Sequence, residues 1–306
     1  MPEKRSDGRL WLYSPRYWPL WFGLGLYRLV ILLPWPWIMA LGRSLGRFAM
    51  RLTPRRARIT DINIGMCFPD LNVIGRQQLR QQHFESLGMG FMDMGLAWWA
   101  SDARLQPWLH IHGVEHAQAA LCQGQGVIFL TAHFTSVEMS GRALRSLGPM
   151  YPVYRPHQNP LLEHFVKIQR EHHTERAIPR DDIRLLLRTL KEGKGIWFAP
   201  DQNFGHKGRL FSPFFGILAA TNTATSRLAR MSGVPVVPFV AFRRKDTPGY
   251  DLYIEPALKD FPSDDPQRDT DRINALMEGW VRQAPAQYLW SHRRFKDRPE
   301  GDVRFY

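Results

Sequence analysis

From residue 126 onward the chain alternates between two hydrophobic patterns, and this alternation limits its architecture more than any other feature. Short apolar runs recur at residues 127–131, 151–154, 195–199 and 234–242. Between them, residues 136–147, 161–171, 181–190 and 225–231 space their apolar side chains as helices do. Strands that alternate with helices in this way pair into a mostly parallel sheet, because each crossover helix returns the chain to the same edge. The predicted fold class is therefore α/β, a central parallel sheet flanked by helices. Ligands in such sheets gather where strands end and helices begin. A helical pattern over residues 75–100 precedes the alternation, loosened by Gly88, Gly90 and Gly95. The stretch "DFPSDDPQRDTDR" reads as a surface connection before a last helix at residues 273–283.

The first 58 residues read differently. Five of the 11 tryptophans fall within the first 37 residues. They flank or punctuate "YWPLWFGLGLYRLVILLPWPWIMALG", residues 17–42, whose single charge is Arg28. Tryptophan favours the membrane–water interface. Arg28 would cost about 2.5–3.5 kcal/mol at mid-bilayer, and Pro34 with Pro36 would interrupt a helix. Six arginines follow between Arg43 and Arg58 with no acid among them, a pattern that anionic lipid attracts. No small-residue cleavage site follows, so a removed signal peptide is not expected. The expectation is an N-terminal membrane-anchoring helix with a basic juxtamembrane segment over residues 1–58, spanning or lying in the interface. An α/β domain over 59–306 would sit on the cytoplasmic side. An amphipathic core helix is the alternative for the N-terminal segment.

The 306 residues carry a formal net charge of +13, which favours anionic partners: nucleic acid, an anionic membrane or phosphorylated substrates. Two cysteines, Cys67 and Cys122, argue against a disulfide scaffold. Both sit among apolar neighbours and read as small core residues.

The run "GVIFLTAHFTSVEM", residues 126–139, poses the chemical question. A buried strand should deliver His133 to its carboxyl end, with a helix following. Residues five apart do not share a helix face, so His133 belongs in the turn and Glu138 inside the helix. The carboxylate could then bend back and hold the imidazole as a general base. Thr135 to Glu138 equally fits a capping box, in which the glutamate is structural. No zinc spacing surrounds His133, and His157, His164, His172 and His173 form no metal-binding pattern.

The ordered motifs around this pair resemble those of the late lipid A acyltransferases, the lauroyl/myristoyl transferases of Gram-negative bacteria. "HFTSVE" matches their H-x-x-x-x-D/E motif, and "NIGMCFPD", "FESLGMGFMDMGLAWW", "VYRPHQNPLLE", "GIWFAPDQNFG" and "LARMSGVPVVPF" resemble further family blocks in order. "APAQYLWSHRRFKDRPEG" resembles the C-terminal signature of the lauroyl-type branch. The resemblance implies a glycerophosphate-acyltransferase-like fold. It also implies transfer of a fatty acyl group from acyl-acyl-carrier-protein to a secondary hydroxyl of a Kdo-linked lipid A precursor at the inner membrane. His133 would be the base and Glu138 the orienting carboxylate. Arg155 would bind phosphate or the oxyanion, Asp201 would position the acceptor or pair with Arg155, and Asn203 would assist. "YLWSHRRFKDR" interleaves aromatic and basic residues and reads as lipid-facing: Arg293 and Arg294 would meet head-group phosphates while Trp290 and Phe295 meet acyl chains. Expected partners are the acyl carrier protein, the lipid A precursor and inner-membrane lipids, with no nucleic acid, metal or redox cofactor. At residues 221–225 "TNTAT" departs from a family run of threonines followed by glycine, with Asn222 and Ala224 in place of that pattern. Other readings are a related enzyme with a glycerophosphate or glycolipid acceptor, or a non-enzymatic binder of anionic lipid.

Overall fold

The structure, a computed structural model, describes residues 10–205, 208–245 and 247–306. In chain order the elements are α1 (Trp18–Val30), α2 (Trp35–Leu52), α3 (Pro54–Cys67), α4 (Val73–Trp99), α5 (Asp102–Leu105), β1 (Leu109–His112), α6 (Val114–Leu121) and β2 (Val127–Leu130). Then come α7 (Val137–Leu144), β3 (Met150–Tyr154), α8 (Pro160–His173), β4 (Ile178–Pro179), α9 (Ile183–Lys191) and β5 (Gly195–Phe198). The chain closes with β6 (Arg209–Phe214), β7 (Ile217–Asn222), α10 (Ala224–Ser232), β8 (Val236–Arg243), β9 (Tyr250–Ile254) and α11 (Pro266–Gln283).

Among the described residues a seven-stranded sheet runs in the order β1-β9-β8-β2-β5-β3-β4. Its neighbours are parallel except β8 and β9. The α/β expectation holds. Strands β2 and β5 are buried at every residue, as VIFL and GIWF must be when helices cover both faces. They pair in register, Val127 with Gly195 and Leu130 with Phe198, so their carboxyl ends emerge side by side. The hairpin β6–β7 forms a separate antiparallel pair. Helix α11 starts at Pro266, earlier than the composition of its first turn suggests, because Asp265 accepts hydrogen bonds from the Gln267 and Arg268 amides.

The expected N-terminal membrane-anchoring helix is not supported among the described residues. Helix α1 has 13 residues, a length of about 20 Å against a hydrocarbon core of about 30 Å. The chain then turns, and the 18 residues of α2 carry Arg43, Arg47 and Arg51. No helix among the described residues is long and apolar enough to cross a membrane. The apolar residues of this segment are partly consumed in packing. Tyr27 stacks on Phe91 with ring centroids 4.4 Å apart, and Ile31, Ile38 and Met39 are buried with Met92 and Leu96 of α4. Arg104 donates to the Ile31 and Leu33 carbonyls, both at 2.6 Å, which fixes the corner between α1 and α2.

Glycines let α2 and α4 approach closely. A Cβ on Gly46 would collide with the Phe84 carbonyl oxygen, and one on Gly88 with the Gly42 carbonyl oxygen. Cys67 is buried as expected, but Cys122 is exposed, because α6 ends at Leu121 and leaves it in the turn that follows.

Candidate active site

Strand β2 delivers His133 to the carboxyl edge of the sheet, as the sequence requires. The turn after the strand is held from three sides. The Thr131 amide donates to the Phe198 carbonyl of β5 at 3.0 Å, and the Ser136 hydroxyl to the Ala241 carbonyl of β8 at 2.6 Å. On the third side the C-terminal segment runs antiparallel to the turn. The Leu289 amide donates to the His133 carbonyl at 3.0 Å and the Thr135 amide to the Gln287 carbonyl at 2.8 Å. Helix α4 closes over the turn at Gly90, where a Cβ would strike the Thr135 carbonyl.

The carboxylate on the imidazole is Asp201, three residues past β5. Its Oδ1 lies 2.6 Å from His133 Nδ1, and its Oδ2 accepts the His133 backbone N–H at 3.1 Å. Asp201 is 3% exposed while the His133 side chain is 33% exposed. The ring therefore has its Nδ1 face buried on a carboxylate and its remaining nitrogen turned outward. Burial opposes the imidazolium, but the Asp201 charge outweighs it and raises the His133 pKa above its ordinary value. Burial likewise opposes the Asp201 carboxylate, yet His133 holds it down at about 2. Tyr288, whose hydroxyl burial pushes far up, lies against the same carboxylate, and burial holds neighbouring His292 down at about 4, which keeps it neutral.

This corrects the expected partnership of His133 with Glu138. Glu138 sits in the first turn of α7 and takes Arg170 of α8, through Oε1 with Nη2 and through Oε2 with Nε at 3.5 Å. The physical reason is topological. Asp201 emerges from the strand beside β2 with both oxygens already aimed at His133, whereas Glu138 points at the neighbouring helix. The capping box does not form either: Ser136 is the N-cap without a side-chain bond, and the Thr135 hydroxyl meets Ser86 at 2.7 Å.

The other expected residues divide. Arg155 lies exposed just past β3, and the alternative Arg155–Asp201 pair is not formed. Asn203 is tied to Asp297, donating to Oδ2 at 2.7 Å and accepting the backbone N–H at 3.0 Å, so its amide fastens the C-terminal segment. Arg293 stacks its guanidinium 5.8 Å from the Tyr306 ring centroid. Arg294 does not face head groups. It is 2% exposed and donates to the Ala220 carbonyl, the Thr221 hydroxyl and the Asn274 side chain at 3.0, 2.8 and 3.2 Å. Trp290 and Phe295, expected against acyl chains, are fully buried in the core. Asn222 accepts the Ala224 amide at 2.9 Å and so shapes the start of α10. Arg170 escaped the sequence reading because nothing local in "VKIQREHH" marks it. Among the described residues no group of three His, Cys, Asp or Glu side chains could hold a metal ion.

A buried carboxylate, an oriented imidazole and an outward ring nitrogen at a strand end can remove a proton from a bound hydroxyl or similar group. Comparisons with known proteins say to which family the chain belongs. Residues 8–297 match the sequence model of a family described as bacterial lipid A biosynthesis acyltransferase. The chain is 39% identical over 291 residues to a lipid A biosynthesis lauroyltransferase of Escherichia coli (strain K12), covering 95% of each. It is 38% identical over 293 residues to a lipid A biosynthesis palmitoleoyltransferase of the same strain, again covering 95% of each. A lipid A biosynthesis myristoyltransferase of that strain is 26% identical over 294 residues, 95% of this chain and 91% of that one. The family resemblance read from the motifs is thus borne out along the chain: it belongs to the bacterial lipid A biosynthesis acyltransferases and is an acyltransferase.

Proposed function

We propose that the protein transfers a fatty acyl group, laurate or a chain of similar length, from acyl-acyl-carrier-protein to a secondary hydroxyl of a Kdo-linked lipid A precursor. The observation that carries this reading is the His133–Asp201 pair. With Nδ1–H donating to Asp201, the lone pair of Nε2 is free to accept the acceptor's hydroxyl proton. The hydroxyl oxygen attacks the thioester carbonyl carbon as that proton moves to Nε2, and Asp201 stabilises the imidazolium that forms. The tetrahedral intermediate then collapses, the C–S bond breaks, and the proton passes from Nε2 to the departing sulfur. An ester and a free thiol result. The donor brings its own activated thioester, so the reaction calls for no further cofactor and no protein nucleophile. Glu138 is a positioning residue in this scheme: it fixes Arg170, whose positive charge is felt at His133.

The acceptor carries lipid chains and the donor is a soluble carrier, so we place the reaction at the cytoplasmic face of the inner membrane. The chain's +13 net charge suits both an anionic lipid surface and an acidic carrier. The relatives named for lauroyl and palmitoleoyl transfer stand at 39% and 38% identity, so similarity alone does not choose between the two chains.

The test is transfer from lauroyl-acyl-carrier-protein to the Kdo-containing precursor in detergent micelles. His133→Ala should lose at least ~10² in rate while remaining folded, the scale of general-base catalysis. Full activity in that variant would sink the mechanism. A parent protein that acylates a glycerophosphate but not the precursor would reassign the acceptor.

A further inference from the structure

A second feature lies on the same rim of the sheet. Strand β8 is parallel to β2 and ends at Arg243, and beyond it opens a cleft of about 480 Å³. Trp35, Met39 and Met89 form its apolar side, and Arg43, Arg244 and Lys245 stand around it. Its wall is shared with the active-site turn. Ser86, which lines the cleft, bonds the Thr135 hydroxyl, and Gln287, which also lines it, takes the Thr135 amide through its carbonyl.

The charges in this cleft are not equivalent. Arg243 is buried and neutralised by Asp93, which also accepts the Tyr250 hydroxyl. Ser86 accepts another Arg243 donor at 3.1 Å, and Gln287 grips the Arg243 backbone through both amide atoms. Arg244 is tied to Asp251 at 2.9 Å. Glu85, the one acid among the described lining residues, is paired with Arg47 at 2.7 Å. Arg43 and Lys245 are exposed and enter no ion pair among the described residues. The cleft therefore has a rigid, internally neutral floor and two uncommitted cations at its mouth, one from α2 and one from the turn after β8. Such a floor resists collapse when a ligand is absent. Two flanking cations beside an indole and two thioethers suit a phosphate monoester carried on an amphiphile.

We infer that this cleft is a phosphate subsite for the acceptor's head group, with Arg43 and Lys245 gripping the phosphate while Trp35, Met39 and Met89 pack against its apolar neighbour. The inference rests on the proposed lipid A acceptor and adds a fixed point beside the turn that holds His133. Anchoring the head group there would set which hydroxyl reaches Nε2, since only hydroxyls at one distance from the phosphate can enter the site.

The experiment compares the parent with the double variant Arg43→Gln, Lys245→Gln, using the precursor with its phosphates and the same precursor after phosphatase treatment. The double variant should raise the acceptor KM by roughly 10-fold or more, the scale of charge-assisted hydrogen bonds, with kcat and the donor KM little changed. That difference should vanish with the dephosphorylated acceptor. An unchanged acceptor KM for the phosphorylated precursor overturns the inference and leaves the proposed function standing. Calorimetry with glucosamine 1-phosphate and with inorganic phosphate reads the cleft without catalysis. If the parent transfers no acyl group to any precursor, the proposed function fails. Binding of glucosamine 1-phosphate lost in the double variant then still supports the subsite, and no such binding overturns it. Inorganic phosphate that binds as well as the sugar phosphate, with acceptor KM unmoved by the variant, assigns the cleft to free phosphate and overturns the head-group assignment.

Discussion

At the scale of single residues, the decisive contact is the 2.6 Å approach of Asp201 to His133 Nδ1. It makes a pH signature. In the proposed mechanism the base works only as neutral imidazole, and Asp201 raises the pKa of His133 above about 6.5, its ordinary value. Activity should therefore climb with pH along a limb displaced to the alkaline side of 6.5 and fall away below it. Asp201→Asn removes the charge that favours the imidazolium and leaves the burial that opposes it, so the limb should move to lower pH. The same change should cost about 10²–10⁴ in rate through loss of tautomer control and of charge stabilisation. A pH–kcat/KM profile of both proteins checks the sign, and an unmoved limb would remove Asp201 from the ring. Glu138→Gln, by contrast, should leave the limb near its parental position while lowering the rate, because its partner is Arg170. At this scale the sequence was legible for His133 and for Asp201 as a strand-end carboxylate. The pairing was not legible, because the two residues stand 68 apart and meet only where β2 and β5 lie side by side.

At the scale of elements, the strands that read most clearly were those buried on both faces, β2 and β5, where an unbroken apolar run has few alternatives. The hairpin β6–β7 was unreadable because Pro213 lies within one strand and Gly216 in the turn. The N-terminal segment misled for a different reason. Its hydropathy resembled an anchor, but Arg43, Arg47 and Arg51 recur every four residues along α2, and Gly42 and Gly46 present a flat surface to α4. That packing makes two glycines respond oppositely to one change. Gly46→Ala forces a methyl group into the Phe84 carbonyl and should destabilise the protein by about 1–3 kcal/mol. Gly25→Ala, in α1 with nothing within 4 Å of the added carbon, should stabilise it by about 0.5–1 kcal/mol through helix propensity. Chemical denaturation of the two variants measures both, and equal effects would mean that α2 does not pack on α4 through these glycines.

At the scale of the whole molecule, the C-terminal segment acts as a strap that joins otherwise distant parts. Asn63 of α3 donates to the Trp290 and His292 carbonyls at 2.7 and 2.8 Å, and Tyr306 reaches the same Asn63. Asn203 holds Asp297 beyond β5, and residues 287–289 brace the turn that carries His133. The motif "YLWSHRRF" looked like a lipid-facing signature because its basic and aromatic residues alternate, yet burial turns that alternation into core packing and internal bonding. Arg294 is the clearest case, and it separates the two readings by experiment. If it is a structural tie, Arg294→Ala takes one interior donor each from the Ala220 carbonyl, the Thr221 hydroxyl and the Asn274 side-chain oxygen. The variant should then lose about 2–4 kcal/mol of stability. Assayed at a temperature where it remains folded, its acceptor KM should stay within about twofold of the parent, because no uniform substrate binding has been removed. If Arg294 instead holds a head-group phosphate, the same substitution raises the acceptor KM about tenfold and leaves the melting temperature in place. The two quantities move in opposite combinations, so one folded-state melt and one acceptor titration decide between a strap and a binding site.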